Sequence, residues 1–94
     1  MALSVYARRV LSHGLKSTSI GKEFADVVDA GSGTLSVHAR QRFESLCANR
    51  VLGDGICDAA DAGNHDLTDG EKSALSAMLC NRIVANEVAA EVAP

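Results

Sequence analysis

The chain of 94 residues repeats itself at a spacing of 32 residues, without a gap. Leu-Ser-Val at 3–5 recurs at 35–37, and Asp-Ala-Gly at 29–31 recurs at 61–63. A third copy, which begins at Leu67, continues in the same register. Chance similarity does not keep apolar positions, capping residues and terminating glycines in one register. The chain is therefore predicted to be one domain, residues 1–94, made of three units: 3–34, 35–66 and 67–94.

Each unit has the pattern of two short helices joined by a turn. A residue with a side-chain oxygen precedes each helix, where it can accept a hydrogen bond from the free N–H groups of the first turn. These predicted capping residues are Ser4, Ser36, Thr68, Ser17, Asn49 and Asn81. Glu71 follows Thr68 by three residues, which indicates a capping box. Gly31 and Gly63 stand where a left-handed residue commonly ends a helix.

Apolar residues recur at helical spacing in every unit, with Leu11, Phe43 and Leu75 at one equivalent position. A single hairpin cannot bury its own apolar face, but three hairpins together can. The only proline is Pro94, so proline does not interrupt this pattern. We expect an all-α fold of about six short helices, forming either one compact domain or a small solenoid.

A small residue occupies one position in the second helix of every unit: Gly21, Gly53 and Ala85. Glycine inside a helix costs about 0.5–1 kcal/mol relative to alanine. Two units accept that cost, so we predict that another helix backbone passes close by, either in the same hairpin or in a neighbouring one. The predicted helix-packing residues are Gly21, Gly53, Ala85, Leu11, Phe43 and Leu75.

Charge is unevenly distributed along the chain, although the net charge is only −3. Residues 1–50 contain seven Lys or Arg against four Asp or Glu, whereas residues 51–94 contain two against eight. Such a distribution suits docking on a charged partner or on copies of the same chain. The candidate docking residues are Arg8, Arg9, Arg40 and Arg42, on the first helices of units one and two.

An acidic stretch invites comparison with a calcium-binding loop. Its members are Asp54, Asp58, Asp61, Asp66, Asp69 and Glu71. An EF-hand loop that starts at Asp58 would place Ala60 and Ala62 at ligand positions, and Asp69 where a bidentate glutamate is required. We therefore interpret the stretch as a solvated acidic face, at the end of one helix and the start of the next.

The cysteines and histidines do not have the spacing of a metal site. Cys47, Cys57 and Cys80 lack a CxxC pair and are interpreted as reduced, half-buried helix residues of a protein that folds inside the cell. His13, His38 and His65 are interpreted as surface residues. The sequence also lacks a glycine-rich phosphate loop with its lysine and a recognisable nucleophile constellation. We expect no catalytic residues, no metal and no cofactor.

Helix, turn and helix also describe the DNA-reading motif, whose second helix enters the major groove. Here the second helix of unit one carries Glu23, Asp26 and Asp29, which would face phosphates. We therefore expect no nucleic-acid partner, although the arginines of the first helices keep a small DNA-binding regulator as an alternative. We expect no membrane partner either, because no apolar run approaches 18 residues.

The first unit can be written Leu-Ser-x-x-Ala-Arg-x-x-Leu, then a cap, then Ile-Gly-x-Glu-Phe-Ala-Asp-x-x-Asp-Ala-Gly. This pattern resembles the short helical units at the start of small structural proteins of tailed bacteriophages. The residues that carry the resemblance are Leu3, Ser4, Ala7, Arg8, Leu11, Ile20, Glu23, Ala25, Asp26, Asp29, Ala30 and Gly31. The part of the third copy from Leu75 to Val92 looks similar.

The resemblance implies a non-enzymatic virion component, present in many copies: a capsid-associated, fibre-anchoring, connector or tail-adaptor protein. Its partners would be other virion or scaffold proteins and copies of itself. It would be located in the virion after synthesis in the host cytoplasm. A cytosolic helical-repeat module that binds another protein is the alternative.

Overall fold

The computed structural model describes residues 3–47, 49–63 and 66–93, so His65 and Pro94 lie outside the described residues. The described residues form six α-helices and no strand, which confirms the predicted all-α fold. The helices are α1 (Val5–Gly14), α2 (Thr18–Ala30), α3 (Val37–Cys47), α4 (Arg50–Ala62), α5 (Asp69–Leu79) and α6 (Arg82–Val92). We call α1 with α2 hairpin one, α3 with α4 hairpin two, and α5 with α6 hairpin three.

Each helix begins one residue after a residue that the repeat marks as a cap. Each capping side chain accepts a hydrogen bond from the backbone N–H three residues later, at 2.9 to 3.2 Å. Thr68 and Glu71 form the predicted capping box. Gly31 ends α2 in the left-handed conformation, with φ 90°. Gly63 also has a positive φ, but its ψ is extended, and a Cβ there would overlap the carbonyl oxygen of Gly31.

The core lies between the three hairpins. Leu11, Phe43 and Leu75 are fully buried, one from the first helix of each hairpin. The rings of Phe24 in α2 and Phe43 in α3 are 4.7 Å apart between centroids, which joins hairpins one and two. Full burial of a side chain of this size contributes about 1.5–3 kcal/mol. The two phenylalanines of the chain thus lie where two hairpins meet.

The glycines inside the second helices allow close contact within their own hairpins. A Cβ at Gly21 would lie 2.7 Å from Cα of Ser12 in α1. A Cβ at Gly53 would lie 2.8 Å from Cα of Glu44 in α3. Both distances are too short for real carbon atoms. The structure thus confirms the predicted close approach and identifies the passing backbone as the first helix of the same hairpin. Ala85 is fully buried at the equivalent position of hairpin three.

Two equivalent hydrogen bonds join one hairpin to the start of the next. Glu23 of α2 accepts from the backbone N–H of Ser36 at 2.7 Å, and Glu87 of α6 accepts from the backbone N–H of Ser4 at 2.7 Å. Because Glu87 and Ser4 lie at opposite ends of the chain, the second bond connects hairpin three back to hairpin one. The hairpins therefore close into a ring, with overall dimensions of 29 × 24 × 23 Å. Of the two predicted arrangements, the compact domain is the one observed.

The junction between hairpins two and three is built differently. Gly55 stands at the position equivalent to Glu23 and Glu87, and it has no side chain to offer. The backbone N–H of Thr68 instead donates to Glu71 of its own helix, at 3.0 Å. The Glu71 carboxylate occupies the space that a Cβ at Gly55 would need. A local capping box thus replaces the bond between hairpins at this one junction.

Candidate interaction surface

An arginine in α1 is bound by two aspartates of α2. Arg8 Nη1 lies 3.0 Å from Asp26 Oδ1, and its Nη2 binds Asp29. The other oxygen of Asp29 accepts from the backbone N–H of Leu3 at 2.7 Å, which fixes the chain as it enters hairpin one. Hydrogen bonds from Arg8 and Lys22 hold the pKa of Asp26 below its usual range. We call Arg8, Asp26 and Asp29 an arginine clamp.

The same clamp recurs 32 residues later in hairpin two. Arg40 Nη1 lies 2.8 Å from Asp58 Oδ1, and Nη2 lies 2.6 Å from Asp61 Oδ2. The remaining oxygen of Asp61 accepts from the backbone N–H of Leu35 at 2.9 Å. Hydrogen bonding to Asp61 and Asp58 raises the pKa of Arg40 further above its already high ordinary value. Arg8 and Arg40, two of the predicted docking residues, therefore form ion pairs within their own hairpins.

The clamps change the interpretation of the predicted charged surfaces. Asp58 is exposed, as expected of a solvated acidic face, but the side chain of Asp61 is only 17% exposed and serves the clamp. Arg9 and Arg42 have no ion pair within the part of the chain that the structure describes. The four candidate docking arginines are thus divided between α1 and α3, and Arg8 and Arg40 are engaged in the clamps.

A groove between α1 and α2 brings several cationic side chains together. One cleft is lined by Val5, Arg9 and Lys22 among others, and an adjoining cleft by Lys16. The two clefts share Ser12, His13 and Thr18. Arg9 and Lys16 lack an ion pair among the described residues, and Lys22 binds only the exposed Asp26, at 3.2 Å. We call Arg9, His13, Lys16 and Lys22 the basic groove.

Hairpin two carries acidic residues at two positions equivalent to residues that line these clefts. Glu44 replaces Ser12, and Asp54 replaces Lys22. Interaction with the Asp54 carboxyl group raises the pKa of Glu44 above its ordinary value of 4.5. Arg50 lies nearby, with Nε 3.7 Å from Glu44 Oε1 and 3.9 Å from Asp54 Oδ2. We call Glu44 and Asp54 the acidic patch.

Hairpin three is neither basic nor acidic at the positions equivalent to Ser12 and Lys22. Ser76 and Asn86 stand where hairpin one has Ser12 and Lys22, and the cleft they line also contains Asp69, Lys72 and Arg82. Charges of both signs are therefore mixed there. The three hairpins present one backbone framework with a basic, an acidic and a mixed surface.

The cysteines differ in their surroundings, and the structure corrects part of the prediction that all three are half-buried helix residues. Cys57 is buried in α4, and burial raises the pKa of its thiol to about 12, so it stays protonated. Cys47 is half-buried at the end of α3. Cys80 is exposed in the turn after α5, with φ 53°, and is not a half-buried helix residue. Within the described ranges, no group of three His, Cys, Asp or Glu residues could hold a metal ion.

The chain matches no protein-family model, no curated protein and no solved structure. Among the described helices, none is long and apolar enough to cross a membrane.

Proposed function

We propose that the protein is a non-enzymatic structural or assembly component of a bacteriophage virion. In this role it docks on other virion proteins and on copies of itself. The resemblance of its repeat unit to small tailed-phage structural proteins suggests this class. The observation that supports docking most directly is the basic groove and the acidic patch, which lie at equivalent positions of two different hairpins.

The residues that carry the resemblance are largely those that hold the hairpins together. Ser4 caps α1 and is bound by Glu87, while Arg8 and Asp29 form the first clamp. Glu23 joins hairpin one to hairpin two. These polar groups are hydrogen-bonded within the molecule, so they favour a rigid fold with few flexible connections. A rigid block with segregated surface charge suits repeated docking, because little conformational entropy is lost on binding.

A quantitative inventory of purified phage particles tests this proposal. Two tryptic peptides, residues 23–40 and 51–72, are suited to measuring the protein by mass spectrometry. We expect both to follow the major structural protein at a fixed ratio across a density gradient, while an abundant host cytosolic enzyme serves as the control. Peptides that stay with the control at the top of the gradient would contradict the proposal. Recovery in a soluble complex with one host protein would instead favour the cytosolic interaction module.

A further inference from the structure

The acidic patch occupies positions equivalent to two residues that line the clefts of the basic groove. The repeat places Ser12 and Glu44 at one equivalent position, and Lys22 and Asp54 at another. The backbones match as well, because Gly21 and Gly53 pack on Ser12 and Glu44 in the same way. The two surfaces therefore share a framework and differ in the sign of their charge.

One molecule cannot bring these two surfaces together. The basic groove lies on hairpin one and the acidic patch on hairpin two, and both hairpins are fixed in the closed ring. Glu23 of α2 is bonded to Ser36 at the start of hairpin two, and the Phe24 and Phe43 rings are in contact behind it. Complementary charges that cannot meet within one copy can meet between two copies.

An exposed valine accompanies each charged surface. Val5 lines the basic groove and is 72% exposed. Val51 is 79% exposed and lies three residues before Asp54 in α4, on the same side of that helix. Apolar contacts inside a polar rim are the usual anatomy of a protein interface. These side chains can exclude water where the opposite charges meet.

We propose that the basic groove of one copy binds the acidic patch of a second copy of this chain. This inference rests on the proposed function, and it names the surfaces through which copies associate. The contact joins two different surfaces, so each bound copy still presents one free groove and one free patch. Contacts of this kind propagate into a ring if the rotation closes and into a filament if it does not.

Charge reversal tests the contact. The first variant, Arg9→Glu with Lys22→Glu, reverses the basic groove, and the second, Glu44→Lys with Asp54→Lys, reverses the acidic patch. A matched control, Lys72→Glu with Arg82→Glu, makes the same charge change on hairpin three as the first variant. Far-UV circular dichroism verifies that all three keep the helical fold. If either reversal unfolds the chain, the neutral variants Arg9→Gln with Lys22→Gln and Glu44→Gln with Asp54→Asn replace it.

Sedimentation velocity provides the measurement. We expect the wild type and the control to exceed the monomer mass of 9.8 kDa in a concentration-dependent way at low salt. Raising the salt to about 0.3 M shortens the screening length below about 10 Å and should return both to the monomer. Each reversed variant alone should remain a monomer. A mixture of the two reversed variants should associate again, because each supplies the surface that the other has lost.

Two results would overturn the inference. One is a wild type that remains a monomer at every concentration at low salt. The other is equal loss of association in the hairpin-three control and in the basic-groove variant. A fluorescent DNA duplex serves as a separate probe. If the wild type does not self-associate but binds the duplex, and only the basic-groove variant loses this binding, the partner is nucleic acid instead. If the protein is found at fixed stoichiometry in particles but is monomeric in solution, this inference is wrong and the proposed function is unaffected.

Discussion

Hairpins two and three have the same backbone plan but are fixed by different interactions. Hairpin two has the arginine clamp, in which Arg40 lies between Asp58 and Asp61. At the three equivalent positions, hairpin three has Lys72 and two alanines, so the clamp is absent. The apolar positions, by contrast, are filled in both. The clamp is therefore an addition to the hairpin and not a requirement for it.

The difference indicates what the clamp does. Asp61 uses one oxygen for Arg40 and the other for the backbone N–H of Leu35, where the chain enters hairpin two. Hairpin three begins with a capping box, whose two hydrogen bonds lie within the first turn of α5. Its second helix buries Val84 and Val88 completely. We infer that polar groups position the entry of the first two hairpins, while local capping and apolar packing suffice for the third.

The largest expected effect comes from filling the contact between α3 and α4. Gly53→Leu places a side chain where a Cβ already lies 2.8 Å from the backbone of Glu44, so the helices must separate. We expect a loss of about 3 kcal/mol in the free energy of unfolding, from chemical denaturation. Gly70→Leu adds the same side chain in α5, where a Cβ meets nothing closer than 3.6 Å, and should cost much less. Equal stability of both variants would refute the close approach as the reason for glycine.

The clamp itself can be tested across the two hairpins. Arg40→Met removes the cation between two aspartates and should lower the free energy of unfolding by roughly 1–2 kcal/mol, since the partly buried Asp61 loses its partner. Lys72→Met makes the equivalent change in hairpin three. Lys72 is exposed and has no ion pair among the described residues, so stability should change by less than about 0.5 kcal/mol. Similar losses in the two variants would mean that charge at this position matters without the clamp.

Much of this architecture follows from the sequence because it depends on local rules. A capping residue acts three residues away, and a helical face depends on a period of 3.6, so the hairpins could be predicted from the repeat. The same reasoning placed Gly21 and Gly53 at a close helix contact. These features required only the alignment of the copies and ordinary helix geometry.

The ring and the clamps could not be predicted in the same way. The bond from Glu87 to Ser4 spans 83 positions, and no local pattern shows that the last hairpin returns to the first. The clamp does not follow from a local pattern either, because Arg8 and Asp29 lie on different helices, 21 positions apart. One signal was available, since Arg8, Asp26 and Asp29 recur together in unit two and are lost together in unit three. Joint recurrence of opposite charges would have indicated an ion pair.

The junction between hairpins two and three can be changed by mutation into the arrangement found at the other two junctions. Gly55→Glu alone places a second carboxylate against Glu71, and we expect a loss of about 1 kcal/mol in the free energy of unfolding. Adding Glu71→Ala gives this junction the glutamate and alanine found in the other hairpins. The new glutamate should then accept from the Thr68 N–H, and stability should return to within about 0.5 kcal/mol of the wild type. If the double variant loses as much stability as the two single variants together, the junctions are not interchangeable.

The smallest expected effect concerns the acidic patch and depends on pH. Interaction with the neighbouring Asp54 carboxyl group raises the pKa of Glu44, so the folded state holds the Glu44 proton more firmly than the unfolded chain does. That contribution to stability is present at low pH and is lost as the pH rises through the raised pKa. Asp54→Asn removes the competing charge and supplies the residue that hairpin three has at Asn86. We expect a small increase in Tm at pH 7.

The gain in Tm should shrink as the pH falls through the pKa of Glu44, which lies above its ordinary value of 4.5. Differential scanning calorimetry over a pH series measures this trend. Lys22→Asn makes the same change at the equivalent position of hairpin one, where Ser12 replaces the second carboxyl group. It should give no gain, because it removes the cation that binds Asp26 and relieves no repulsion. A gain that stayed constant down to acidic pH would show that the introduced asparagine acts through helix packing, and that the two carboxyl groups do not oppose each other.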